Sequence, residues 1–270
     1  MIVSSWHSLS GMADSEQHLD AIREQFTRQA EAYVRMRQTS DEPGLEALVR
    51  LSGAAPEHRV LDVACGPGFL TMAFAARCAH AIGVDATDRF VELARAEAAA
   101  RNLDNIEFRA GDAEVLGFAD ATFDIVSCRA AFHHFPHPER VLREMRRVMK
   151  PDGRMLVADM LGSEDSALAA YHNRIERLCD PTHVRALPES EFARLFGAAG
   201  LRILLSPTME IDYDFEEWVA HGGPPPDVER EIVRLMEDSL AVDRCGLKVR
   251  RENGRLRFSH QVAAFVLMAA

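Results

Sequence analysis

The segment Val60-Leu-Asp-Val-Ala-Cys-Gly-Pro-Gly-Phe69 carries the clearest chemical signal in the chain. Apolar residues enter a strand, Gly66 and Gly68 permit a tight turn, and a helix follows. Glycines at such a turn let a ligand approach backbone N–H groups that no Cβ shields. Asp85 ends the next apolar run. A carboxylate there lies beside the crevice of an open α/β sheet and can accept both hydroxyls of a ribose. Asp112 stands in the same relation to the third run, placed to accept from an adenine amino group. A dinucleotide site competes with this reading, but its GxGxxG pattern needs a glycine where Thr71 stands. Taken singly, each feature is also an ordinary βα turn or strand-end cap. Their common register favours a nucleotide-like cofactor.

Two more clusters could do chemistry. His133, His134 and His137 follow the fourth apolar run. As a metal set they are weak, because Pro136 and Pro138 forbid a helical face. At least one of them reads as structural, bonded to a loop. The second cluster is Asp180-Pro-Thr-His-Val-Arg185. His183 there suits a general base near neutral pH, or an orienting donor. Arg185 suits a carboxylate or enolate on a ligand. The competing reading is a loop tied down by its own Asp180–Arg185 pair.

These residues must be positioned by an alternation of strands and helices. Apolar runs at 59–64, 81–85, 106–110, 123–128 and 153–159 read as strands. Helices are expected at 69–78, 88–101 and 138–149 between them. Such alternation calls for a mostly parallel sheet with helices on both faces. Ahead of it, Leu19, Ile22, Phe26, Ala30 and Tyr33 fall at helical spacing over 15–37, and a second helix runs from Pro43 to Gly53. Residues 1–14 read as a frayed, flexible tail. Past the core, helices are expected at 164–179 and 188–200, with a strand at 201–205. Residues 213–245 read as an insertion carrying an amphipathic helix over Val228, Ile232, Leu235 and Met236. Asn253-Gly254 between alternating runs signals a hairpin, and the closing apolar segment a buried strand.

The 270 residues make one large α/β domain of 15–270 with insertions, its cofactor-binding core at about 59–160. Helices 15–53 and the 213–245 insertion are expected as a lid. The sequence is 47% hydrophobic and 27% charged, an ordinary globular composition. Lys and Arg total 31 against 42 Asp and Glu, a net charge of −11 that argues against nucleic acid as a partner. The five cysteines are odd in number and show no CxxC spacing, so neither a disulfide framework nor a zinc knuckle is expected. No signal peptide is visible, and no apolar stretch is long enough to span a bilayer. The expectation is a reduced, cytoplasmic monomer or homodimer.

LDVACGPG at 61–68, GVDAT at 83–87, GDAEVLGFADATFD at 111–124 and HHFPHPERVLREMRRVMKPDGRMLVAD at 133–159 resemble the class I S-adenosylmethionine-dependent methyltransferases. Within them the chain is most similar to the small-molecule group of the ubiquinone/menaquinone-biosynthesis methyltransferases. Cys65 replaces the usual first glycine of the turn, and Gly117 stands where proline is common. The resemblance implies a Rossmann-like seven-stranded sheet with an antiparallel last strand, S-adenosylmethionine as cofactor and no metal.

Carried over by position, the backbone of Ala64, Cys65 and Gly66 would pass beside the methionine part of the cofactor, with Gly68 completing the turn. Asp85 would hold the ribose, Ala86 would flank the adenine, and Asp112 and Ala113 would meet its edge. Arg129 would close the methionine end. The acceptor should enter after the fourth and fifth strands. His183, His133 and His134 are the candidate catalytic residues there, with Tyr33, Arg37 and Arg185 as acceptor-binding residues. The expected activity is methyl transfer to O, N or C of a small metabolite, with an aromatic, quinone-like or natural-product acceptor in view. Absence of an NPPY-type sequence after the fourth strand argues against methylation of amino groups on DNA bases or glutamine. Two other classes remain open: a cofactor-binding protein acting as a non-methylating catalyst or regulator, and a nicotinamide oxidoreductase, which Thr71 disfavours.

Overall fold

The first five apolar runs become strands β1 (Arg59–Val63), β2 (His80–Asp85), β3 (Ile106–Ala110), β4 (Phe123–Arg129) and β5 (Met149–Met160). The computed structural model describes residues 4–35 and 41–270, with side chains for 15–34 and from 41 onward. These strands pair in parallel in the order β3-β2-β1-β4-β5. Parallel neighbours need crossovers, and helices α3 (Phe69–Ala75), α4 (Asp88–Ala100) and α5 (Pro138–Val148) supply them. Before the sheet come α1 (Ser4–Arg35) and α2 (Glu42–Ser52). Helix α1 starts well ahead of the expected residue 15.

Past β5 the sheet turns antiparallel, as the resemblance implies. Strand β9 (Arg255–Ala269) lies between β5 and β6 (Leu201–Leu205) and runs against both. The strand count differs from the expected seven, because nine strands join one sheet among the described residues. Strand β7 (Thr208–Asp214) pairs with β9 from Thr208↔Ala263 to Asp214↔Arg257. Strand β8 (Arg250–Glu252) forms the hairpin with β9 at Asn253-Gly254, both residues having positive φ. The hairpin's second strand and the closing apolar segment, expected separately, are one continuous strand. The alternation Met209-Glu-Ile-Asp-Tyr213 was a period-two signal for β7. Of its apolar members Met209 is exposed and Ile211 and Tyr213 are half-buried, and with acids between them the segment reads as polar connection rather than core.

Alternation along each strand sends neighbours to opposite faces. Leu61, Val126, Met155 and Phe265 pack on the side of α5 and α7 (Glu189–Ala198), and Val60, Ile125 and Leu156 on the side of α2 and α3. A third cluster joins α6 (Ser166–Cys179), α8 (Phe215–Gly222) and α9 (Pro226–Glu237) around Ile175, Trp218, Ile232 and Phe258. All five cysteines are free thiols. Among the described residues no helix is long and apolar enough to cross a membrane.

The β1–α3 turn depends on Gly68. Its φ of 81° is left-handed, and a Cβ there would lie 2.5 Å from the Phe108 ring. Gly66 is also left-handed, with φ 54°, but a Cβ there meets nothing within 4 Å. Gly68→Ala should therefore lose about 2–4 kcal/mol of stability, against about 1 kcal/mol for Gly66→Ala. Urea denaturation checks this. Equal losses would mean that strain alone, without the Phe108 contact, sets the cost.

Candidate cofactor and acceptor site

The carboxyl ends of β1, β2 and β4 open into a cleft enclosing about 1130 Å³ of space including its mouth, ample for a nucleoside-sized ligand. Ala64, Cys65, Gly66, Asp85, Ala86, Asp112, Ala113 and Arg129 all line it. Gly68 does not; it sits behind the turn, immediately before α3. Asp85 is held from two sides, with one carboxylate oxygen accepting the Gly66 N–H at 2.7 Å and the other the Thr87 N–H at 2.9 Å. Burial pushes its carboxyl above the ordinary range, and the two N–H groups pull it back. Each oxygen keeps a lone pair for a ligand hydroxyl. Asp112 folds onto its own loop, accepting the Glu114 N–H at 2.8 Å.

At the floor of this cleft is Asp62, which the sequence reading passed over. The β1–β4 register sets Asp62 opposite Ser127. Its oxygens accept the Ser127 hydroxyl at 2.7 Å and the Thr71 hydroxyl at 2.7 Å. Burial pushes this carboxyl up to about 6 against both hydroxyls and the charge of Arg129. Thr71, read only as evidence against a dinucleotide site, thus fixes an acid inside the cleft. A carboxylate in the middle of a buried Val-Leu-Asp-Val strand was the available signal. Two buried carboxylates and one arginine around a glycine turn suit a ligand carrying a ribose, an ammonium and a carboxylate, as S-adenosylmethionine does.

Helix α1 crosses the mouth. Phe26 packs edge-on to the His134 ring at 5.1 Å and against Phe90 at 5.8 Å. His18 Nε2 lies 2.9 Å from the His134 carbonyl oxygen, and Arg23 donates to the Ala86 carbonyl at 3.3 Å. Tyr33 is brought to the site, between Phe90 and His221. Arg37 lies outside the described residues. Helix α8 closes the same side, with Gln29 donating to the Gly222 carbonyl at 3.0 Å.

A second cavity, of about 660 Å³, adjoins the cleft and shares Phe26, Tyr33, Ala130 and His134 with it. His133, His134 and His183 converge there, ring centroids 4.2 to 6.4 Å apart. Their environments differ sharply. His133 Nδ1 lies 2.6 Å from Asp159 Oδ1. Asp159 is itself fixed by the Phe132 and Met160 N–H groups at 2.6 and 2.7 Å. Burial works to lower the His133 pKa, but the charge and hydrogen bond of Asp159 overcome it and leave the imidazole above its ordinary value. The same pairing outweighs burial at Asp159 and leaves that carboxyl below its ordinary range. With Nδ1–H donated to Asp159, Nε2 is the basic nitrogen.

His134 and His183 are donors instead. The His134 Nδ1 faces the Thr182 carbonyl oxygen at 3.1 Å, and burial with His133 beside it pushes its pKa down to about 4. His183 Nε2 meets the Asn173 carboxamide oxygen at 2.8 Å. That oxygen also accepts the Ala186 N–H, so Nε2 carries the proton. Burial pushes His183 down to about 2. A nitrogen so weakly basic is a poor general base near neutral pH, which corrects the expectation for His183. Arg185 is not brought to the cavity. It turns outward into a two-pronged pair with Glu191 at 2.5 and 2.6 Å. The alternative Asp180–Arg185 tether is not formed either, since Asp180 accepts the Thr182 N–H and hydroxyl.

Residues 55–194 match a family model described as a methyltransferase domain. A Bacillus subtilis protein named uncharacterized methyltransferase YcgJ is 36% identical over 208 residues, 77% of this chain and 82% of its own length. The YcgJ crystal structure superposes with a TM-score of 0.76 at 33% identity, covering 83% of this chain and 97% of that one. The ubiquinone/menaquinone biosynthesis C-methyltransferase UbiE of Ectopseudomonas mendocina is 34% identical over 129 residues, 46% of this chain and half of its own length.

Asp85→Ala removes the acceptor pair offered to a ribose. Charge-assisted bonds of this kind are worth roughly 1.5–3 kcal/mol, so S-adenosylhomocysteine affinity should fall about ten- to a hundredfold by calorimetry. Unchanged affinity would remove Asp85 from the cofactor site.

Proposed function

Because the chain belongs to the methyltransferase-domain family and is an S-adenosylmethionine-dependent methyltransferase, we propose that it methylates a hydroxyl oxygen, or a carbon activated by one, on a compact aromatic metabolite. The observation that carries this reading is the buried His133–Asp159 pair on the wall of the cavity beside the cofactor cleft. S-adenosylmethionine, when bound, supplies a methyl group already activated on a sulfonium. The chain's own residues must hold the acceptor in line and take its proton. His133 Nε2 accepts the hydroxyl proton, while Asp159 keeps the Nδ1–H oriented and steadies the imidazolium. His134 and His183, both neutral donors, orient rather than deprotonate.

The walls narrow the acceptor class. Phe26, Tyr33, Tyr213 and Trp218 offer aromatic surface, and Glu176 and Asp180 add negative charge. With Arg185 paired to Glu191 outside, an acceptor carboxylate loses its expected anchor. A neutral hydroxylated ring suits these walls better. The partial likeness to a quinone-biosynthesis C-methyltransferase supports the same choice.

A panel of phenols, catechols and hydroxyquinones, with isotopically labelled methyl donor and mass spectrometry, tests the reading. On the accepted member, His133→Gln should lower kcat about 10²–10⁴-fold with cofactor affinity within about twofold. Asp159→Asn should lower kcat too, since the tautomer is no longer fixed. His183→Gln should stay within about tenfold of the native rate. Full turnover in His133→Gln would defeat the assignment. Cofactor binding with no product across the panel would favour a non-methylating role.

A further inference from the structure

Helix α6 and strand β9 bring together a second set of buried ligand-type side chains, to which methyl transfer as described above gives no proton-transfer role. His172 and Glu176 lie one helical turn apart on the same face of α6, and His260 approaches from β9. All three are buried, and their ligand atoms lie within 4.8 Å of one another. Glu176 Oε1 is the hub, 2.9 Å from His260 Nε2 and 3.4 Å from His172 Nε2. The two imidazole rings face it with centroids 5.4 Å apart.

The two imidazoles are not equally satisfied. His260 Nε2 hydrogen-bonds to Glu176 at 2.9 Å, but the fully buried His172 Nε2 has only the long 3.4 Å contact to the same oxygen, without hydrogen-bond geometry. A buried ring nitrogen left so poorly paired is unfavourable, and among the described residues no other group supplies its partner. We propose that His172 Nε2, Glu176 and His260 Nε2 form a binding site for a first-row divalent transition cation, zinc first. Ligands about 2.0–2.1 Å from a tetrahedral zinc ion are roughly 3.3 Å apart, close to both observed separations. Two imidazole nitrogens and one carboxylate select such an ion over magnesium or calcium. A set of three protein ligands leaves a fourth position open, the arrangement of zinc sites that take water or substrate.

Glu176 and His260 are also part of the acceptor cavity wall. A cation there would border the space assigned to the acceptor and could take one of its oxygens. The sequence offered no hint of this. Its expectation of no metal came from His133, His134 and His137 and from the family resemblance, and His172 and His260 are 88 positions apart. The site does not rest on the acceptor assignment, because cation binding is read without turnover.

Untagged full-length protein, stripped with chelator, is titrated with Co²⁺ and then Zn²⁺. The expected result is one equivalent of Co²⁺ with the intense visible bands of a four- or five-coordinate site, displaced by Zn²⁺. His172→Gln, Glu176→Gln and His260→Gln should each weaken Co²⁺ binding at least tenfold. Retained S-adenosylhomocysteine binding shows that each variant is folded. X-ray absorption of the zinc-loaded native protein should show nitrogen and oxygen neighbours only, a readout that needs no variant. Native protein that holds no stoichiometric cation, a sulfur neighbour on the zinc, or folded variants that bind Co²⁺ as well as native each overturn the proposal.

Discussion

Asp159 is a negative charge almost wholly removed from water, and the wall of the second cavity is organised by what neutralises it. An isolated buried carboxylate would cost several kcal/mol. Here the cost is met by the N–H groups of Phe132 and Met160 and by the His133 ring. The Phe132 and His133 bonds join the end of β5 to the loop after β4, while the Met160 bond stays within β5. The same loop then holds a third segment, because the His133 carbonyl accepts the Val184 N–H at 2.9 Å. The 180–185 loop is therefore docked through His133 onto Asp159. Neutralising the charge and shaping the cavity are the same set of contacts.

The cleft at the β1–α3 turn rests on a parallel arrangement with opposite consequences. Asp62 and Asp85 are also buried acids, but hydroxyls and backbone N–H groups hold them, not an imidazole. Their carboxyls are pushed above the usual range, whereas Asp159 sits below it. The carboxyl ends of β1 and β2 thus carry acids held by neutral donors. The end of β5 carries an acid already matched to a base.

What could be seen in the sequence was what lies close together along the chain. The turn at Gly66, Asp85 at the end of β2 and Asp112 after β3 each sit at a strand end whose position periodicity fixes, and all of them line the cleft. The strand ladder followed for the same reason. Pairings across long stretches of chain were not visible. Asp159 as the partner of His133, Thr71 as the partner of Asp62 and Glu191 as the partner of Arg185 depend on register and loop path. His183 carries a residue type suited to a base, yet burial and Asn173 make it a donor. Type and spacing propose a role; the surrounding dielectric and the atom across the hydrogen bond decide it. Strand β7 escaped notice because acids alternate with its apolar residues and its partner, β9, lies far along the chain.

Strand β9 has an implication for how the chain is made. It is the latest of the described strands in sequence, yet it occupies an interior position, between β5 and β6, and it is the sheet partner of β6, β7 and β8. On a ribosome, β1 to β5 can associate as they emerge, because each finds an earlier or nearby neighbour. β6 and β7 cannot; their edges stay unpaired until β9 has left the exit tunnel. Contacts this distant along the chain also form slowly. The nascent protein must therefore carry a half-built sheet with open edges from the emergence of β6 until β9 follows, a state that favours strand-capturing chaperones and aggregation alike.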